Sequence, residues 1–103
     1  MRAVDKDLLM KLRRYLRILR HEQGRIRLGY RIGAVGVLRQ MQGQAGSSLL
    51  DAIEGVQRVA VSPLTFTLTI HYDPEIIQPS WWETMVQESE AAAREVLDQI
   101  RLA

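Results

Sequence analysis

The sequence predicts an α+β domain, on three observations. Two segments, Arg25–Ile32 and Thr65–Tyr72, alternate apolar and polar residues at the period of two that a half-buried strand requires. Segments near either end instead repeat apolar residues at helical spacing. The 103 residues, 47% hydrophobic and 25% charged, are enough for one domain (1–103) with a single core about two layers deep.

Asp5 to His21 reads as a helix, with Leu8, Leu9, Leu12, Tyr15, Leu16 and Leu19 in one apolar stripe and Lys11, Arg13, Arg14, Arg17 and Arg20 over much of the remaining surface. Asp5 and Asp7 in its first turn and Arg20 in its last suit the helix dipole, and Gly24 is its expected stop. In the strand Arg25–Ile32, Ile26, Leu28, Tyr30 and Ile32 face one side, and Arg25, Arg27, Gly29 and Arg31 the other. The stretch with Gly33, Gly36, Gly43 and Gly46 also holds Val35, Val37, Leu38 and Met41, and its local structure is left open. Ser47 and Ser48, with Asp51 three residues after Ser48, resemble a capped helix start, and Gly55 closes that short helix.

Val56–Val61 is a second strand, Ser62-Pro63-Leu64 a turn, and Thr65–Tyr72 the returning arm of a β-hairpin. In that arm Phe66, Leu68, Ile70 and Tyr72 point inward. Pro79-Ser80 opens a last helix, with Ser80 and Glu83 spaced as a capping box. Trp82, Met85, Val86, Ser89, Ala93, Val96, Leu97 and Ile100 form its inner stripe, and no Gly or Pro interrupts it, so one long helix is expected. The order is then a basic amphipathic helix (1–23) followed by a ferredoxin-like βαββα core (24–103) that lacks the last strand. Without that strand, Arg25–Ile32 lies at a sheet edge with unpaired backbone groups. A partner strand, a second copy or the N-terminal helix would have to cover it, or its arginines protect it.

Composition excludes several chemistries. There is no cysteine, hence no disulfide, no thiolate metal site and no thiol nucleophile. The apolar runs fall far short of the roughly 20 residues that cross a bilayer. Charge interrupts Met1–Gly24 throughout, unlike a signal peptide, so the cytoplasm is the expected compartment. The net charge of +2 hides an asymmetry: residues 1–40 carry 11 basic against 3 acidic groups, and residues 41–103 carry 3 basic against 9 acidic. Such halves pair within one molecule, or one half engages another molecule.

The segments "GRIRLGYRI", "LLDAIEGVQRVAVSPLTFTLTIHYDP" and "SWWETMV" together resemble a heavy-metal-associated domain, in particular a divergent, cysteine-free group of such domains. The likeness spans about Gly24 to Gln87 and is most specific over Ile53–Pro74, where a helix-ending Gly55-Val56, a hairpin and Tyr72-Asp73-Pro74 follow in the family's order. That family binds copper(I) or a related soft cation through two cysteines in the loop after the first strand. Here that loop, Gly33–Ser47, has neither cysteine nor histidine and only Met41 as a soft donor, so the metal function does not carry over and no cofactor is expected.

Other sites find little support. A metal carrier would have to use His21, His71, Met1, Met10, Met41 and Met85, but the histidines show no ligand spacing. His71 reads as a residue of the wet strand face and His21 as a helix-end charge. The acids Asp51, Glu54, Asp73, Glu75 and Glu83 lie at turns and helix starts, no phosphate loop is present, and no catalytic residues are assigned. Arg25, Arg27, Arg31 and Arg58 on the outer face would attract phosphate, yet RNA-binding sheets stack bases on exposed rings and this face has none. The basic helix has three readings: packing on its own domain, docking on a partner or swapping between protomers, and lying on an anionic membrane.

The expectation is therefore a non-catalytic protein-binding or adaptor module. It would self-associate or dock on a partner such as a membrane transporter, through the first strand and the basic helix. Arg13, Arg17, Arg25, Arg27 and Arg31 would attract that partner, and Leu12 and Leu16 supply apolar contact. A His/Met metal carrier and a weak binder of anionic membrane or nucleic acid are the alternatives.

Overall fold

The computed structural model of the chain describes residues 3–41, 50–51 and 53–100. The N-terminal apolar spacing forms a helix, α1 (Ala3–Arg13), that ends well before His21. The chain turns at Tyr15, whose N–H donates to the Leu12 carbonyl at 3.0 Å, and continues as a strand, β1 (Leu16–Glu22). A two-residue turn, Gln23-Gly24, leads into β2 (Arg25–Tyr30). Gly24 is not a helix stop. It takes a φ of +87° at this turn, a left-handed conformation open to glycine at no steric cost.

The expectation of one helix over Asp5–His21 is thus corrected, and with it the open edge. β1 pairs antiparallel with β2 from Leu16 opposite Tyr30 to Glu22 opposite Arg25. The physical reason is backbone pairing. The outer N–H and C=O groups of β2 need partners, and the tight turn delivers residues 16–22 directly to them. Helix propensity is a weak preference beside a ladder of that length.

α2 (Ala34–Met41) occupies part of the glycine-rich stretch. Ser47 and Ser48 lie outside the described residues, while Leu50 and Asp51 form a turn. β3 (Val56–Ser62) and β4 (Thr67–Tyr72) make the expected hairpin. β4 also pairs antiparallel with β2, giving a four-stranded antiparallel sheet in the order β1-β2-β4-β3.

The C-terminal segment is two helices, α3 (Pro79–Gln87) and α4 (Glu90–Gln99), where the apolar spacing predicts one. Glu88 leaves helical geometry at ψ −176°, and Ser89 caps α4, its hydroxyl accepting from the Ala92 N–H at 3.2 Å. Ser89 is therefore a cap and not a member of the inner stripe. The Ser80–Glu83 capping box does not form either. Gln78 is the N-cap, and Pro79 at the first helical position has no N–H to satisfy.

Leu9, Met10 and Leu12 of α1 pack with Ile26, Leu28 and Tyr30 of β2, with Leu68, Ile70 and Tyr72 of β4, and with Trp82, Met85, Ala93, Val96 and Leu97 of α3 and α4. Among the described residues, the helices thus cover one face of the sheet and leave the other open. Two residues expected inside lie outside: Ile32 is 76% exposed and Phe66 43%. Ile32 follows the end of β2 and Phe66 sits in the hairpin turn with a φ of +52°, so the inward alternation stops where strand pairing stops.

Leu12 is 2% exposed, which places it in the core and not on a docking surface. Leu12→Ala will lower stability by about 2–5 kcal/mol, read as a fall in the urea midpoint. A surface contact residue would leave the midpoint within about 0.5 kcal/mol of wild type.

Candidate functional site

Strand register assembles the open face of the sheet into three cross-strand rows. Arg17, Gly29, Thr67 and Ser62 lie side by side in one; Arg20, Arg27, Thr69 and Ala60 in the next; Glu22, Arg25, His71 and Arg58 in the third. Each step follows from the alternation of a pleated strand, because the apolar neighbours Ile26, Leu28, Leu68, Ile70 and Tyr72 take the helix-covered face. A register shift between Ile18 and Arg20 in β1, and another between Val56 and Arg58 in β3, bring Arg20 and Arg58 onto the same face.

Among the described residues, five exposed arginines therefore stand on one face with a single carboxylate among them, that of Glu22. Glu22 bridges Arg20 at 3.3 Å and Arg25 at 2.5 Å. Hydrogen bonding from Arg25, with the charge of Arg20 beside it, holds the Glu22 carboxyl below the ordinary carboxylate range. Arg17, Arg27 and Arg58 make no ion pair among the described residues. A shallow cavity of about 150 Å3 lies over Arg20, Arg25, Arg27 and Thr69. Gly29 is the floor of the first row: a side chain there would meet the Arg17 Nε at 3.0 Å, so its absence lets that arginine lie across β2.

A larger groove, of about 500 Å3, opens at the end of this face. Leu19, Ile32 and Phe66 line it together with Arg17 and Arg31. Phe66 meets the buried Tyr30 edge-on, with ring centroids 5.7 Å apart, so its ring is braced from behind.

The residues expected to contact a partner divide into three groups. Arg17, Arg25 and Arg27 stand together on the open face. Arg31 lies at its end, over the Tyr15 ring at 5.9 Å and donating to the Arg14 carbonyl. Leu12, Leu16 and Arg13 turn inward. Leu12 is core, and Leu16 is half-buried against it. Arg13 donates to the Met85 carbonyl at 2.5 Å and to that of Glu88, satisfying the carbonyls that end α3. The sequence reading missed Arg20, taken there as a helix-end charge, and Phe66, taken as core.

His21 is also misplaced by that reading. It stands on β1 facing the helices, where Nε2 lies 2.7 Å from the Tyr72 hydroxyl and Nδ1 lies 3.0 Å from a Glu83 carboxylate oxygen. Burial raises the pKa of the Tyr72 phenol, keeping it a neutral partner for the imidazole. Tyr72 is 1% exposed and its ring packs on Trp82 at 5.3 Å, so this chain of hydrogen bonds ties β1 to β4 and α3. His71 occupies the open face, opposite Arg25. The two histidines thus lie on opposite sides of the sheet and cannot share one ion. Met10 and Met85 are buried in the core, and no group of three or more His, Cys, Asp or Glu side chains placed to hold a metal ion occurs among the described residues. No helix there is long and apolar enough to cross a membrane.

Because the folded-state pKa of Glu22 is depressed, its bridge contributes stability above the ordinary carboxylate range and loses it as the pH falls through the lowered value. Urea unfolding across an acid pH series will show wild type more stable than Glu22→Gln near neutrality, with the difference vanishing on acidification. A difference independent of pH would refute the bridge as its origin. Compared with protein-family models, with curated proteins and with solved structures, the chain matches none.

Proposed function

We propose that this chain is a non-catalytic binding module that holds an acidic partner protein on the open face of its sheet. The observation that carries the reading is the convergence of Arg17, Arg20, Arg25, Arg27 and Arg58 on that face with, among the described residues, only Glu22 to offset them. Guanidinium groups stay protonated, so they neither accept a proton nor attack a substrate. What they do well is grip carboxylates, with a planar fork that fits both oxygens. A nucleic acid fits this face less well, since Tyr30 and Tyr72 point into the core and, among the described residues, a small imidazole, His71, in the third row and Phe66 at the end of the face are the rings left to stack a base.

The same reading takes the resemblance to heavy-metal-associated domains as one of scaffold without metal chemistry. β2, α2, β3, β4 and α3 follow the βαββα order, with β2-β4-β3 adjacent in the sheet. β1 fills the place beside β2 that the last strand of a ferredoxin-like sheet would take. The partner-binding role then moves from the sheet edge and N-terminal helix to the sheet face.

Neither Arg27 nor Arg58 holds the fold through an ion pair among the described residues, so both can be reversed without breaking one. Binding of labelled polyglutamate, followed by fluorescence anisotropy, will be at least about tenfold weaker for Arg27→Glu with Arg58→Glu than for wild type. It will also lose most of its dependence on salt. Equal affinity for the two proteins would sink the proposal.

A further inference from the structure

Exposed arginine–carboxylate pairs are individually weak, and charges at the rim of an interface govern encounter more than lifetime. A partner held on this face therefore needs an apolar contact as well. The groove at the end of the sheet offers one. We infer that it receives a single large apolar side chain from an acidic segment of the partner, while Arg17 and Arg31 take the carboxylates on either side. The inference rests on the proposed binding of an acidic protein to the arginine rows.

Three observations converge here. Leu19, Ile32 and Phe66, 46%, 76% and 43% exposed, line one concavity and are not scattered over the surface. The groove is open, and its volume, about 500 Å3, has room for one large apolar side chain laid against these three residues. Phe66 is the one non-glycine residue with a positive φ among those described, and a bulky side chain tolerates that conformation at a cost. The cost holds an aromatic ring half in solvent at the groove wall, where the fold itself makes no use of its exposed side.

The charges favour an acidic peptide. Arg17 begins the first arginine row and also lines the groove, so the apolar site and the cationic face are continuous. Arg31 is held at the rim by the Arg14 carbonyl and the Tyr15 ring, and its guanidinium has further N–H donors for a carboxylate. An anionic lipid surface is the competing occupant, because Leu64 projects from the hairpin turn at 94% exposure.

The test uses two labelled synthetic peptides, rich in Asp and Glu, that differ only in a central Leu or Ser, together with phosphatidylserine vesicles. Wild-type protein should bind the Leu peptide about tenfold more tightly than the Ser peptide. Phe66→Gly should abolish that preference without lowering the thermal midpoint, since glycine adopts the φ of +52° freely. Should the midpoint fall nonetheless, Leu19→Ser makes the same comparison on an unstrained residue. Arg27→Glu with Arg58→Glu should weaken both peptides alike. If both peptides bind equally and remain salt-sensitive, the groove inference fails and the arginine-face reading survives. If neither binds, both fail. Vesicle binding that Phe66→Gly abolishes, with no preference between peptides, would overturn the peptide in favour of a lipid surface.

Discussion

The ladder between β1 and β2 satisfies the outer edge of β2 with the chain's own backbone, from Leu16 opposite Tyr30 to Glu22 opposite Arg25. Without it the sheet would have three strands and a free edge, and Arg17 and Arg20 would belong to a helix. With it, those two arginines stand beside Gly29 and Arg27. His21 reaches Tyr72 and Glu83 on the other side of the same strand. One run of backbone hydrogen bonds thus sets both the polar tie inside the molecule and the cationic face outside it.

The charge asymmetry of the sequence is resolved by folding in part only. Lys6 pairs with Asp98 at 2.6 Å and Arg14 with Glu90 at 2.9 Å, so the basic first half and the acidic second half meet where α1 approaches α4, while Arg94 and Asp7, at 3.6 Å, pair there in the opposite sense. Each pair is largely exposed and contributes little to stability; together they orient the helices. The hydrogen bonds from Arg13 to the carbonyls at the end of α3 belong to the same contact. The sheet face is different, since no acidic element of the chain is laid over it among the described residues.

The strands β2 and β4 were legible because each buries one face, which imposes strict alternation on Ile26, Leu28 and Tyr30 and on Leu68, Ile70 and Tyr72. β1 was not. Its register shift between Ile18 and Arg20 breaks the period of two, and what remains, with Leu12, Tyr15, Leu16 and Leu19, falls at helical spacing. Gly24 reads from the sequence as a helix stop, because a positive-φ glycine ends a helix as readily as it turns the hairpin that it turns here. The break at Ser89 was hidden for a similar reason, because the apolar spacing runs through α3 and α4 in a common phase while the cap is a single hydroxyl. Of the site, Arg17, Arg25 and Arg27 could be chosen from charge alone. Their alignment with Arg20 and Arg58 depends on strand register, which one sequence does not reveal.

The sheet is made of two hairpins, β1–β2 and β3–β4, each closed by a short turn, and a single long-range ladder joins them through β2 and β4. Closing a short loop costs little chain entropy, so each hairpin can form early and independently of the other. The slow event in folding is then the meeting of two preformed ribbons. The residues that must find each other in that step are Ile26 with Ile70 and Leu28 with Leu68, all buried in the native state. Arg25 and Arg27 alternate with Ile26 and Leu28 along this seam but point to its other face, so the apolar pairs that join the ribbons and the arginines of the open face occupy opposite sides of the same strand.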